Sequence, residues 1–199
     1  VKLGYHYQVM RNTLQFNNGK GNFSEIAYLS GLANTDWSWA PLFADFDHDG
    51  RKDLAITNGY LRDTQDKDYV KKAKKMGGDK GLKSFTELAS MMKSTRLRNY
   101  VFQNDGALHF SDKSEDWGFN FSGFSNGMAY GDLDNDGDLD LVVNNVNMNS
   151  FIYENTTDTL NQRSFNVGLK SKSKNSFAVG AKAIIYYGAN KKQMRQIIV

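Results

Sequence analysis

The 199-residue chain has no cysteine, a single proline and no apolar run near the ~18 residues that a membrane helix requires. Without cysteine there are no disulfides, no zinc–thiolate sites and no thiol nucleophile. The lack of cysteine leaves an extracellular address open. Charge of one sign is also scarce: 25 Lys and Arg stand against 22 Asp and Glu, a net +3 spread along the chain. That is too little and too scattered to point to a nucleic-acid partner. No glycine-rich phosphate loop of Walker or Rossmann type occurs. What is abundant is aromatic and turn-forming: 13 Phe, 10 Tyr and 18 Gly, the composition of a β-rich domain with many tight turns. The chain opens at Val1 without an initiator Met and stops in the apolar run Gln196–Val199, as expected of a piece of a longer protein.

Two acidic stretches organise the rest. Asp45-Phe-Asp47-His-Asp49-Gly50-Arg51-Lys-Asp53 and Asp132-Leu-Asp134-Asn-Asp136-Gly137-Asp138-Leu-Asp140 place carboxylates at positions 1, 3, 5 and 9 and glycine at position 6. Calcium takes six to eight oxygen ligands, and alternating Asp around a sharp glycine turn supplies such a shell. Carboxylates crowded this closely repel one another unless a cation lies between them. The expected ligands are the side chains of Asp45, Asp47, Asp49 and Asp53, then Asp132, Asp134, Asp136 and Asp140. The position-7 carbonyls of Arg51 and Asp138 complete the two sets. Magnesium fits less well, because it retains water and favours few carboxylates. Ordinary acidic turns use the same residue types, but two turns sharing five constrained positions are not explained that way.

An EF-hand is excluded by spacing. Its twelfth position needs a bidentate Glu between helices, and here that position is Ile56 or Val143. The flanks read instead as short strands. Leu54 and Ile56, then Leu141 and Val143, follow period-two alternation and end in Asn-Gly or Asn-Asn. Each acidic stretch is therefore expected to be the turn of a β-hairpin, with position 9 as the closing acid.

The repetition reaches beyond the loops. Asn12-Thr-Leu14-Gln-Phe-Asn17-Asn-Gly19 returns as Asn99-Tyr-Val101-Phe-Gln-Asn104-Asp-Gly106, at the same spacing of 87 residues that separates the loops. A shorter echo, Phe151–Asn155, places Asn155 51 residues after Asn104. The unit is thus about 50 residues with four strands, a period typical of propellers and solenoids. The predicted fold is all-β with a helical insertion, a partial β-propeller of four-stranded antiparallel blades. Residues 7–32 form the outer half of one blade, 36–60 with 98–114 a full blade, and a further blade starts near 122.

The insertion, 61–98, changes character. Ser84-Phe-Thr-Glu87 is a capping box ahead of helical spacing at Phe85, Leu88, Ala89 and Met92, and a weaker helical stretch covers Asp68–Met76. Its lysines, Lys71, Lys72, Lys74 and Lys75, read as a solvated face. Because alternate connections of an antiparallel sheet fall on opposite rims, the insertion lies away from the acidic loops, together with the segment Thr35-Asp-Trp37-Ser-Trp39.

Phe43–Leu54 and Tyr130–Leu141 resemble FG-GAP, or VCBS-type, repeats. The resemblance implies an integrin-like β-propeller with calcium in each such loop. With Arg11–Gln15, Thr35–Pro41 and Phe124–Gly127, the chain resembles bacterial repeat proteins related to cartilage acidic protein. The run Val179–Gly188 with Lys192 and Gln193 resembles the start of an ASPIC/UnbV domain. Residues 1–158 are accordingly assigned to the propeller and 159–199 to the start of a second β domain, itself read as a hairpin turning at Gly188–Asn190.

No catalytic constellation is legible: His6, His48 and His109 occupy different repeat positions, and cation binding accounts for every close Asp pair. His48 is expected to point away from the ion. The best contact candidate is Trp37, with Trp39 expected in the inter-blade core and Phe119, Phe121 and Phe124 forming an aromatic shelf on the same rim. The sequence therefore reads as a calcium-stabilised binding scaffold, not an enzyme, for a protein or glycan met by the Trp37 rim. Near-millimolar calcium favours a secreted or cell-surface location. The alternative is part of a polysaccharide-active or other hydrolytic enzyme whose catalytic residues lie elsewhere.

Overall fold

A computed structural model describes residues 10–64, 66–77, 89–157, 167–172, 174–187 and 191–197. The described part is predominantly β, organised in small antiparallel sheets with one short helix. A hairpin of β1 (Gln15–Asn17) and β2 (Phe23–Glu25) comes first. The central sheet is built from β3 (Ser38–Ala44), β4 (Asp53–Asn58), β6 (Tyr100–Gly106) and β7 (His109–Asp112), in the order β3-β4-β6-β7. The next sheet holds β9 (Ser125–Gly131), β10 (Asp140–Asn145) and β11 (Phe151–Tyr153), with β10 in the middle. Two-stranded ladders join β5 (Leu97–Arg98) to β8 (Ser122–Gly123), and β12 (Lys182–Tyr187) to β13 (Lys191–Gln196). The four-stranded unit predicted from 36–60 and 98–114 is therefore present. The described sheets do not themselves close into a ring.

Strand β4 is buried along its whole length because both faces of its sheet are covered. Ala55 and Val101 face Phe119 and, from the next repeat, Leu141 and Val143. Leu54, Ile56 and Phe102 face Leu32, Leu14 and Phe110 on the other side. Strand pairs buried on both faces lose the in/out alternation of a half-solvated sheet, and β4 carries Ala55 and Thr57, both fully buried, where a surface strand would carry charges. Burying side chains of this size is worth about 1.5–3 kcal/mol each for the larger aliphatics and aromatics.

The cover on the Leu54 face stops short of the β3 edge, and this corrects one expectation. Trp39, expected in the core, is 47% exposed, while its Nε1–H donates to the Gly59 carbonyl at 2.5 Å. Trp37 is half-buried between Trp39 and Tyr60, with ring centroids 6.2 and 5.2 Å away. The proposed aromatic shelf is not there either. Phe119 and Phe124 are buried, and Phe121 packs edge-on against Phe151 at 4.6 Å. These rings fill the space between repeats instead of facing solvent.

The single proline, Pro41, lies where the β3–β4 register shifts, on the edge strand where its missing N–H costs no ladder bond. The helix α1 (Lys67–Gly77) forms where the weaker helical pattern predicts it, with Asp66 Oδ1 accepting the amides of Asp68 and Tyr69. Those bonds stabilise the ionised carboxyl and lower its pKa. Lys71, Lys72, Lys74 and Lys75 are exposed, as a solvated face requires. The capping box at Ser84–Glu87 and the turn at Gly188–Asn190 lie outside the described residues, although β12 and β13 on either side of that turn pair as predicted.

A buried polar chain joins the two repeats at the rim away from the acidic loops. Asn99 Oδ1 accepts the Asn58 amide at 2.9 Å, and Asn99 Nδ2 donates to Ser125 Oγ at 3.0 Å. Ser125 Oγ in turn donates to Asn145 Oδ1 at 2.7 Å. Buried amides are stable only when paired in this way.

Candidate metal centre

Both acidic stretches are hairpin turns, one linking β3 to β4 and the other β9 to β10. Their backbones coincide position by position. Position 4 has positive φ in each (His48 at 58°, Asn135 at 66°), as does position 6 (Gly50 at 89°, Gly137 at 98°). Asn and His tolerate the left-handed region better than branched residues do, and glycine tolerates it best. The side chains of positions 3 and 5 tighten the bend. Asp47 Oδ1 accepts the Asp49 amide and Asp134 Oδ1 the Asp136 amide, both at 3.2 Å. Asp49 Oδ1 accepts from Arg51 N at 2.7 Å and Asp136 Oδ1 from Asp138 N at 3.0 Å.

This bend gathers three carboxylates in each loop. One oxygen from each of Asp45, Asp47 and Asp49 lies within 4.8 Å of the others, and the same holds for Asp132, Asp134 and Asp136. Asp45 Oδ1 and Asp132 Oδ1 are buried without a hydrogen-bond partner. Burial raises the Asp45 pKa, with Asp49 and Asp47 adding repulsion. A hard cation satisfies such a donor set: all-oxygen, anionic, and with lone pairs left open.

Position 9, the expected closing acid, lies outside these three-carboxylate groups, and its oxygens accept backbone amides. Asp53 is fully buried, and its two oxygens accept the amides of Phe46 and Asn104, each at 2.9 Å. Asp140 repeats this with Leu133 at 2.8 Å and Asn155 at 2.9 Å. Each position-9 carboxylate thus ties the start of its loop to the strand or turn beyond it. Burial pushes the Asp53 carboxyl up to about 7, against the pull of those two amides.

Position 7 separates the loops. Arg51 reaches outward, its Nε donating to the Asn104 carbonyl at 2.6 Å and its guanidinium pairing with Asp49. Asp138, expected to contribute only a carbonyl, has a fully buried carboxylate with neither oxygen hydrogen-bonded. Its pKa is pushed up to about 6 by burial first and by Asp136 next. His48 is half-buried with an unpartnered Nδ1 and takes no place in the carboxylate group.

Two further residues belong to the site architecture. Asn104 donates to the Lys52 carbonyl at 3.0 Å, and Asn155 donates to Leu139 O at 3.3 Å and across to Phe46 O at 2.8 Å. The signal for both was the spaced recurrence of Asn104 and Asn155, which shows that they are equivalent without showing what they hold.

Paired antiparallel hairpins, each turning on a three-carboxylate loop clamped by a fourth Asp, define a class of repeat protein. The sequence model of the FG-GAP-like repeat matches residues 5–56 and 85–143, more than half of the chain. The chain belongs to the FG-GAP-like repeat family. No curated protein matches it significantly.

Proposed function

We propose that this chain is a calcium-loaded segment of an integrin-like β-propeller, acting outside the cell as a binding scaffold. The observation that carries this reading is the pair of equivalent loops, each with three converging carboxylates and at least one buried oxygen lacking a partner. Asp45, Asp47 and Asp49 would hold one ion and Asp132, Asp134 and Asp136 the other. Asp53 and Asp140 close the loops and, with the Arg51 and Asp138 carbonyls, would supply the further oxygen ligands. The cation's contribution is to neutralise the crowded carboxylates and lock the turn. In this reading calcium is structural, and the chain carries no catalytic role.

The relation to cartilage acidic protein, and the assignment of β12–β13 to the start of an ASPIC/UnbV unit, belong to the same proposal. So does the partner, a protein or glycan met on the rim opposite the cations. What supports that rim is the exposed Trp39 beside half-buried Trp37 and Tyr60, together with a neighbouring open cleft of about 570 Å³ that Trp37 helps to line. Among the described residues no helix is long and apolar enough to cross a membrane. Calorimetric titration with calcium is the test. Uptake of two ions per chain is the expected result, and no heat of binding with metal content confirmed at zero overturns it. Glycan-array or pull-down binding without turnover favours the scaffold over an enzyme, and turnover favours the enzyme.

A further inference from the structure

The first acidic loop is roofed by the last hairpin of the chain. A methyl group built on Gly50 would stand 2.7 Å from Gln193 Nε2 and 2.9 Å from the Tyr187 hydroxyl, so β12 and β13 sit directly on the turn. From the same hairpin the Arg195 guanidinium, which also donates to the Met194 carbonyl at 3.3 Å, comes to 3.9 Å from Asp45 Oδ2. Asp45 is only 8% exposed and its other oxygen has no partner. Among the described residues no ion pair reaches Asp132, Asp134 or Asp136 of the second loop.

A guanidinium next to a position-1 carboxylate answers the same need as a cation inside the loop. A divalent ion held by Asp45, Asp47 and Asp49 would lie within several ångströms of Arg195, and the two positive charges would repel. We propose that Arg195 is a built-in competitor for the cation of the first loop, so that calcium occupancy and docking of the β12–β13 hairpin oppose each other. By linkage the coupling is reciprocal: whatever factor the docked hairpin takes from calcium affinity, calcium takes from docking. The first loop then reports to the last hairpin, and the second loop is a plain structural site. This inference rests on the calcium reading of the loops.

The test is calcium calorimetry on the full chain, with the second loop silenced by Asp134→Asn and Asp136→Asn. Arg195→Gln is expected to tighten calcium at the first loop by about fivefold, and the charge-retaining Arg195→Lys to leave affinity close to that of the unsubstituted chain. Should the silenced background not fold, the two-step isotherm with both loops intact gives the same comparison. Docking is read separately by Gln193→Cys, the only thiol in an otherwise cysteine-free chain. Its alkylation is expected to speed up when calcium is added. Calcium uptake that is unchanged by Arg195→Gln, or an alkylation rate indifferent to calcium, overturns the competition alone. No calcium uptake in the unsubstituted chain overturns the reading of the loops themselves.

Discussion

Loop 45–53 and loop 132–140 bend through the same left-handed positions and make the same pairs of backbone bonds to their Asp residues, yet their surroundings have opposite character. The first is hedged by nitrogen donors. Gln103 Nε2 donates to Asp47 at 2.6 Å, Arg51 pairs with Asp49, and Arg195 approaches Asp45. The second exposes Asp134 and Asp136 and adds a buried fifth carboxylate, Asp138. Local spacing therefore sets the bend, while residues remote in sequence set the electrostatic surroundings of its carboxylates. Repeats can keep one geometry and still diverge in electrostatic surroundings.

The sharpest test of what the loops share is the position-9 clamp. Asp53→Ala and Asp140→Ala each strand two amides, and each is expected to cost about 3 kcal/mol in chemical denaturation. A large difference between the two variants would break the equivalence. Chelation comes next. An extracellular site with Kd near ~10⁻⁴ M under ~1 mM calcium gains about 1.4 kcal/mol by linkage, hence about 3 kcal/mol for two loops. The expected readout is a melting temperature that rises with calcium and falls with chelator; a melting curve that ignores both would count against a structural cation.

The asparagines sharpen the comparison further. Asn104 serves its own repeat, whereas Asn155 also reaches Phe46 in the neighbouring one. Asn155→Ala is expected to cost about 2 kcal/mol and Asn104→Ala about 1 kcal/mol by urea denaturation, and the reverse order would argue against the bridge. The smallest effect belongs to Gly50→Ala, about 1 kcal/mol for a side chain at φ 89°. Because the added methyl also meets Gln193 and Tyr187, hydrogen exchange in β12–β13 should rise with it. Unaltered exchange there would mean that the hairpin does not rest on this turn.

Much of this was legible from the chain alone. Strand length, the hairpin character of the acidic turns and the four-strand unit all follow from local patterns: Leu54 and Ile56 alternate, Gly50 and Gly137 bend, and the copies keep step. The three-carboxylate clusters follow too, since positions 1, 3 and 5 converge once the bend is set. What stayed hidden depends on partners far along the chain. Asp53 reads as a closing acid, but nothing local shows that Asn104, brought beside it by β4–β6 pairing, donates its amide to it. Asp138 reads as the donor of a backbone carbonyl, and nothing local shows that its carboxylate is buried. Trp39 reads as core because its size suggests burial, but it faces out where β3 is an edge strand and the cover from Leu14 and Leu32 ends. Arg195, 150 residues from Asp45, leaves no periodic trace at all.

The interrepeat bonds have a mechanical corollary. At the rim of the acidic loops, Asn155 and Thr157 both grip the Phe46 carbonyl, while at the far rim Asn99 and Ser125 are joined. A plate pinned to its neighbour at both ends has no hinge about which to swing. Two plates fixed in this manner keep one set angle between them.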